Sequence, residues 1–302
     1  MKEPVRKRRA VTRRPLIGKL AIFGVGLIGG SFALALKNSR AVTHVVGVGR
    51  SRANLLVARR LGIIDDIATD AATAVRDADL VLLAVPLGQT AAVFTQIAPH
   101  LGPRTVVTDA GSTKRDVIEH ARRCLGSAYP RFVPAHPIAG TEKSGAQAAF
   151  AELYRGRNLI VTPEPQTDAR ALRLVTTAWR RTGMRVVTMR APEHDRVFAL
   201  VSHLPHMLSF ALVDQIAGYA DAGKLFRHTG GGFRDTTRIA GSSPEMWRDI
   251  CLSNRDALLG ALDDYLAELN RLRGMIAASD RRALESCFST ARSARAQSLK
   301  SR

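Results

Sequence analysis

The sequence predicts an α/β domain built on a parallel sheet, followed by an all-helical domain. Three observations predict it. Between residues 18 and 110 short apolar runs alternate with stretches of helical periodicity, the pattern of consecutive βαβ units. The first of these runs leads into "GVGLIGG" at 24–30, a glycine-rich turn placed between a strand and a helix. After about residue 190 the strand pattern stops and only long helical stretches follow.

The elements follow in order. "KLAIFGVG" (19–26) reads as a buried strand ending in glycines, and "LIGGSFALALKNS" (27–39) as a helix. "HVVGVG" (44–49) is a second strand, and "SRANLLVARRLG" (51–62) a helix that Gly62 stops. "DLVLLAV" (79–85) is a strand closed by Pro86, and "QTAAVFTQIAPHL" (89–101) a helix. "RTVVTDA" (104–110) is a strand, and "STKRDVIEHARRCLG" (112–126) a helix for which Ser112 is the predicted N-cap. "NLIVTP" (158–163) and "MRVVTM" (184–189) add two strands around the helix 168–183. Residues 192–220 form a long apolar helical stretch that Pro205 should kink or break. Residues 243–280 are helical with apolar side chains on several faces, as burial against other helices and a subunit interface require. The expected organisation is a basic disordered tail over 1–17, a dinucleotide-binding domain over 18–190, a helical domain over 191–288 and a basic tail over 289–302.

Composition narrows the class. A chain of 302 residues with 46% apolar and 24% charged residues has the make-up of a water-soluble protein of about two domains. No apolar run approaches the ~20 residues that cross a bilayer, so no membrane association is expected. Three cysteines, far apart and without a CxxC pair, argue for reduced thiols in a cytoplasmic protein and against a zinc site or disulfide framework. The net charge of +19 is unusual. Residues 1–14 carry seven basic side chains against one acid, and 291–302 carry four against none. Such tails suit anionic partners, but aromatics are only 5% and do not interleave with the basic runs. Nucleic acid is therefore the weaker reading, and an anionic small molecule the stronger. The N-terminal tail also lacks the apolar core of a secretory signal.

The glycine turn specifies a chemistry. Gly24-x-Gly26-x-x-Gly29 follows a strand and opens a helix. Gly24 would permit the tight turn, Gly26 the approach of a pyrophosphate, and Gly29 close helix–strand packing. The amides of the helix start, at Leu27 and Ile28, would face the phosphates. This is a Rossmann-type site for NAD or NADP. An NAD site places an acid after the second strand, where this chain has Arg50, Ser51 and Arg52. Two arginines suit a 2′-phosphate and lean towards NADP. Val85 and Pro86 end the third strand on the cofactor side.

The chemistry of such a fold lies beyond the carboxyl ends of the strands. "VPLGQT" (85–90), "DAGSTK" (109–114) and "HPIAGTEKSG" (136–145) fall there. His136, held extended by the following proline, presents an imidazole suited to take a proton from an alcohol while hydride leaves the same carbon. Ser112 could pass it a hydrogen bond. With "GVGLIGGS", "SHLPH" and "GGGFRDTTRIAGSSPEMWRDI" in the same order, these segments resemble the prephenate/arogenate dehydrogenase family over roughly residues 18–285.

That resemblance implies a homodimer formed by the helical domain and a dianionic cyclohexadienyl substrate, oxidatively decarboxylated in tyrosine biosynthesis. It implies that His136 accepts the proton of the ring hydroxyl, with Ser112 assisting. It places Thr141, Glu142, His206 and Arg238 at the substrate, with Glu142 reaching across the dimer and Arg238 pairing with a carboxylate. Asp235 and Trp247 would support Arg238. No metal is implied. Prephenate and arogenate stay undistinguished. A 3-hydroxyacid or imine oxidoreductase of the same architecture is the alternative enzyme, but it would lean on a helical-domain lysine, and 196–220 contain none. A non-catalytic dinucleotide sensor or nucleic-acid-contacting protein is the alternative of another class.

Overall fold

A computed structural model describes residues 15–300. Most of the predicted basic tail, residues 1–14, lies outside them. The chain runs β1 (Ile17–Phe23), α1 (Leu27–Asn38), β2 (Val42–Val48), α2 (Arg52–Arg60), β3 (Asp66–Ile67), α3 (Ala71–Val75), β4 (Leu80–Leu83), α4 (Thr90–Ile97), β5 (Val106–Asp109) and α5 (Arg115–Cys124). There follow β6 (Phe132–Val133), β7 (Ala135–Pro137), β8 (Asn158–Val161), α6 (Ala169–Arg181) and β9 (Arg185–Thr188).

Six strands form a parallel sheet in the order β3-β2-β1-β4-β5-β6. The order reverses between β1 and β4, which opens a crevice at their carboxyl ends. The strands are buried on both faces, so their sequences are continuous apolar runs. Alternate residues still divide between two cores. Leu20, Ile22, Val45 and Leu82 pack with Phe32, Leu36 and Trp179 on one face. Ala21, Phe23, Val81 and Val107 pack with Phe94, Ile97 and Ile118 on the other.

β7, β8 and β9 form a second, three-stranded sheet in which β7 runs antiparallel to β8. The strands read at 158–163 and 184–189 therefore do not extend the main sheet. Pro134 separates β6 from β7: it has no amide to continue the ladder, and its carbonyl accepts from Thr162 instead.

The remainder is helical: α7 (Ala191–Phe198), α8 (Leu204–Ala217), α9 (Ala222–Arg227), α10 (Gly231–Thr237), α11 (Pro244–Ser253), α12 (Arg255–Ala277) and α13 (Arg281–Lys300). Pro205 does not break its helix. A single π-turn, Ala199–His203, joins α7 to α8 just before the proline, and this wider turn is where the helix accommodates a residue that has no amide to donate. The resulting run Ala191–Ala217 has mean hydropathy 1.4 in its most apolar window and is long and apolar enough to cross a membrane, against the sequence-based expectation. Residues 289–300, read as part of a basic tail, continue α13.

The helical part grips the sheet domain at several points. Asp249 accepts from the Gly88 amide at 3.1 Å, Thr113 and Ser253 share a hydrogen bond of 2.7 Å, and Trp247 and Ile250 join the second core.

Candidate active site

The glycine turn has the shape a dinucleotide needs. Gly24 has φ +94°, and a Cβ there would stand 2.3 Å from the Ala84 carbonyl oxygen. A Cβ on Gly29 would stand 2.3 Å from the Gly24 carbonyl oxygen. Both positions admit only glycine. At Gly26 a Cβ would meet nothing within 4 Å, so the backbone faces open space. Gly26 caps α1 without a side-chain hydrogen bond, leaving the Leu27 and Ile28 amides to face an anion. The Tyr154 hydroxyl donates to the Ile28 carbonyl at 2.6 Å and pins this turn. A dinucleotide pyrophosphate fits this cradle.

Beyond it lie Val85 and Pro86, both partly buried. At the end of β2, Arg50 and Arg52 are exposed. Arg50 forms an ion pair of 3.4 Å with Glu245 of α11, and Ser51 caps α2 by accepting from the Asn54 amide at 3.2 Å.

His136 sits in the middle of β7, partly buried. The Asp109 carboxylate, at the carboxyl end of β5, accepts from the Ala135 amide at 3.0 Å and from Gly111 at 2.8 Å. Lys114, fully buried, donates to that carboxylate and, at 2.8 Å, to the Ala135 carbonyl. Two side chains thus clamp the residue preceding the imidazole to the sheet.

The His136 ring is held from the helical part. Its Nδ1 lies 2.8 Å from His194 Nε2, and His194 Nδ1 lies 2.7 Å from Asp195 Oδ1. Phe198 packs edge-on against His136 at 4.8 Å between ring centroids. Burial, with further push from His194, Lys114 and His203, holds the His136 pKa well below the ordinary imidazole range. Burial lowers His194 too, and Asp195 only partly offsets it. His203 is pushed down to about 4 by burial.

The other candidate residues fall as follows. Ser112 is partly buried and makes no hydrogen bond to His136 among the described residues. Nor does it cap α5: that helix begins at Arg115, and its Lys114 and Arg115 amides donate to Asp195 at 2.8 and 2.9 Å. The stronger acceptor, a carboxylate from α7, displaces the local hydroxyl. The Thr141 hydroxyl accepts from the Lys143 amide at 3.2 Å. Glu142 forms an ion pair of 3.4 Å with Arg238 of its own chain, both exposed. His206 binds the Ser202 carbonyl through Nδ1 at 2.8 Å and stacks on Trp247 at 3.8 Å. Among the described residues, Asp235 and Trp247 make no hydrogen bond or ion pair with Arg238. Trp247 supports His206 instead, because α11 brings its indole against α8.

Sequence reasoning missed His194, Asp195, Lys114 and Asp109. The only signals were an adjacent His-Asp at a helix start and the lysine closing "DAGSTK".

Both parts of the chain match known proteins. Residues 32–188 match the model for the prephenate dehydrogenase nucleotide-binding domain, and residues 190–290 that for its dimerization domain. The chain is 40% identical over 263 residues to a cyclohexadienyl dehydrogenase of Zymomonas mobilis, spanning 86% of this chain and 89% of that protein. It is 38% identical over 276 residues to a prephenate dehydrogenase of Bacillus subtilis, spanning 90% and 74%. Among solved structures, a prephenate dehydrogenase of Aquifex aeolicus in complex with hydroxyphenyl propionate and NAD+ superposes with TM-score 0.85 at 36% identity, covering 94% of this chain and 98% of that one.

Proposed function

This chain belongs to the prephenate dehydrogenase family, and from that premise we propose that it oxidatively decarboxylates prephenate with NAD or NADP, accepting arogenate as well. The observation that carries the reading is His136, an imidazole kept neutral by burial, on a strand that Asp109 ties to the carboxyl end of β5, the end of the parallel sheet at which the glycine cradle also lies. A neutral imidazole accepts a hydroxyl proton, and one that stays neutral well below pH 6.5 does so across the working range.

Gly24, Gly26 and Gly29, with the Leu27 and Ile28 amides, would hold the pyrophosphate, and Val85 and Pro86 after β4 would contribute to the same cofactor site. When bound, the nicotinamide supplies the hydride acceptor. His136 takes the ring hydroxyl proton, and Ser112 contacts that hydroxyl from the loop between β5 and α5. Carbon dioxide leaves without an acid, because the ring gains aromaticity. Arg238 binds a substrate carboxylate, His206 contacts the substrate while braced on Trp247, and Thr141 and Glu142 line the entrance. Asp235, exposed and three residues before Arg238, adds negative charge on the same segment. A dianionic substrate displaces Glu142 from Arg238, exchanging an exposed pair of modest worth for a bidentate carboxylate contact.

At the ribose end, the lack of a carboxylate after β2 and the presence of Arg50 and Arg52 favour acceptance of a 2′-phosphate. A two-by-two assay, prephenate and arogenate against NAD and NADP, tests substrate and cofactor together. Prephenate is expected to be turned over with both cofactors. Absence of turnover with every combination ends the reading, and turnover with NAD alone removes the role of the two arginines.

Arg238→Gln is expected to raise KM for substrate roughly tenfold or more, since a hydrogen bond to a charged group contributes about 1.5–3 kcal/mol. The cofactor KM should stay the same. An unaltered substrate KM takes Arg238 out of the site.

A cytoplasmic homodimer completes the proposal. Val201 (66% exposed), Leu259 (47%) and Leu266 (54%) leave large apolar side chains uncovered in the π-turn and on α12. A partner's helices would cover them, which also accounts for the apolarity of the 191–217 run. Sedimentation should give a dimer, and Leu259→Asp with Leu266→Asp a monomer; a wild-type monomer refutes it.

A further inference from the structure

We propose that His194 and Asp195 are positioning residues that fix the tautomer of His136, leaving its Nε2 bare to receive the substrate proton. The proposal rests on the reading of His136 as the proton acceptor and deepens it.

The argument follows the hydrogens outward from Asp195. Its carboxylate accepts the Lys114 amide on Oδ1 and the Arg115 amide on Oδ2, at the start of α5. Burial works to raise the Asp195 pKa, yet these amides and His194 hold it below the usual carboxylate value. The group is ionised and can only accept. His194 Nδ1, 2.7 Å away, must therefore carry a hydrogen. His194 is fully buried with its pKa lowered, so it is neutral and carries only that one hydrogen. Its Nε2 is a bare acceptor. His136 Nδ1, 2.8 Å from that atom, must then be the donor. A neutral His136 with hydrogen on Nδ1 has a bare Nε2, the nitrogen directed away from this chain of bonds.

The same chain carries the charge once a proton arrives. When Nε2 takes the substrate proton, the Nδ1 hydrogen can move to His194 Nε2 as the His194 Nδ1 hydrogen leans on Asp195. No hydrogen is gained or lost. The positive charge ends beside the Asp195 carboxylate. The charged and titratable groups facing His136 are His194 and Asp195 from α7, Lys114 and Asp109 from the sheet side, and His203 from the π-turn. Among them the Asp195–His194 pair is the one that accepts from the ring.

Asp195 also ties the two parts of the molecule. Its backbone carbonyl accepts from Asn254 Nδ2 at 2.8 Å, while its carboxylate caps α5 across 81 residues. The acceptor state of His136 is thus set only when α7 is docked on α5.

The test uses the full-length enzyme with NAD. Nitrogen-15 spectra of its eight histidines, with His136 identified by its loss in His136→Asn, should show hydrogen on Nδ1 and none on Nε2. His194→Leu should lower kcat roughly ten- to hundredfold with substrate KM and NAD affinity within about twofold, as loss of an orienting partner does. His194→Gln should recover most of kcat, because its amide can donate to Asp195 and accept from His136. A hydrogen on Nε2 of His136 in the wild type overturns the proposal, and so does a His194→Leu enzyme with kcat within twofold of wild type. Should His194→Leu fail to fold, the wild-type spectrum still decides. An active His136→Asn enzyme would instead refute the proton-acceptor reading, and the wild-type spectrum would still report the tautomer.

Discussion

His136→Asn is expected to lower kcat by roughly 10²–10⁴-fold, the usual contribution of a positioned general base. Asparagine keeps the approximate size and a hydrogen-bonding edge, but its amide takes no proton in the working pH range. NAD affinity should not move, because the pyrophosphate cradle is built by Gly24 and Gly29, whose limits are backbone contacts far in sequence from β7. Steady-state formation of reduced cofactor, with cofactor titration alongside, separates the two quantities. A loss of less than tenfold would remove His136 from proton transfer. The wild-type pH profile gives a second readout with a definite sign. The acceptor is the neutral imidazole, and burial with neighbouring positive charge pushes its pKa well below the ordinary value. Activity should therefore persist as pH falls past 6.5 and fail only on a limb below it.

Lys114→Met is expected to destabilise the protein by about 3–5 kcal/mol, because it leaves the buried Asp109 carboxylate without its cation. Burial works to lower the Lys114 pKa, and Asp109 and Asp195 oppose this, so the ammonium and carboxylates depend on one another. Chemical denaturation should show the loss. Adding Asp109→Asn should recover part of it, since removing both charges removes the uncompensated one. A single variant within about 1 kcal/mol of wild type would mean that the pair contributes little. The catalytic consequence has a sign as well: Lys114 holds the His136 pKa down, so its removal should move the acid limb to higher pH.

Much of the fold was legible because its signals are local. A parallel sheet covered on both faces needs continuous apolar runs, and β1, β2, β4 and β5 each lie within a predicted run or overlap it closely. Gly24 and Gly29 could be read because only glycine tolerates the contacts of that turn. The strands β6 and β7 were missed as strands because two or three residues carry no period. The helices α9 and α10 escaped for the same reason, being short, and α10 opens on two glycines. Ser112 looked like a cap because capping rules weigh the nearest side chain, whereas the acceptor that α5 uses arrives from α7.

By itself the sequence determined the order of the main elements, the switch from α/β to helical architecture and the conformational limits of the glycine turn. These depend on periodicity and on single-residue conformational limits, which are properties of short segments. Only the tertiary structure decided what the His136 imidazole touches. The bond from His136 to His194 spans 58 residues, and the cap from Asp195 to α5 spans 80 and 81. A hydrogen bond acts over about 3 Å, so its partners are chosen by how α7 packs against α5 and β7, which no local pattern encodes.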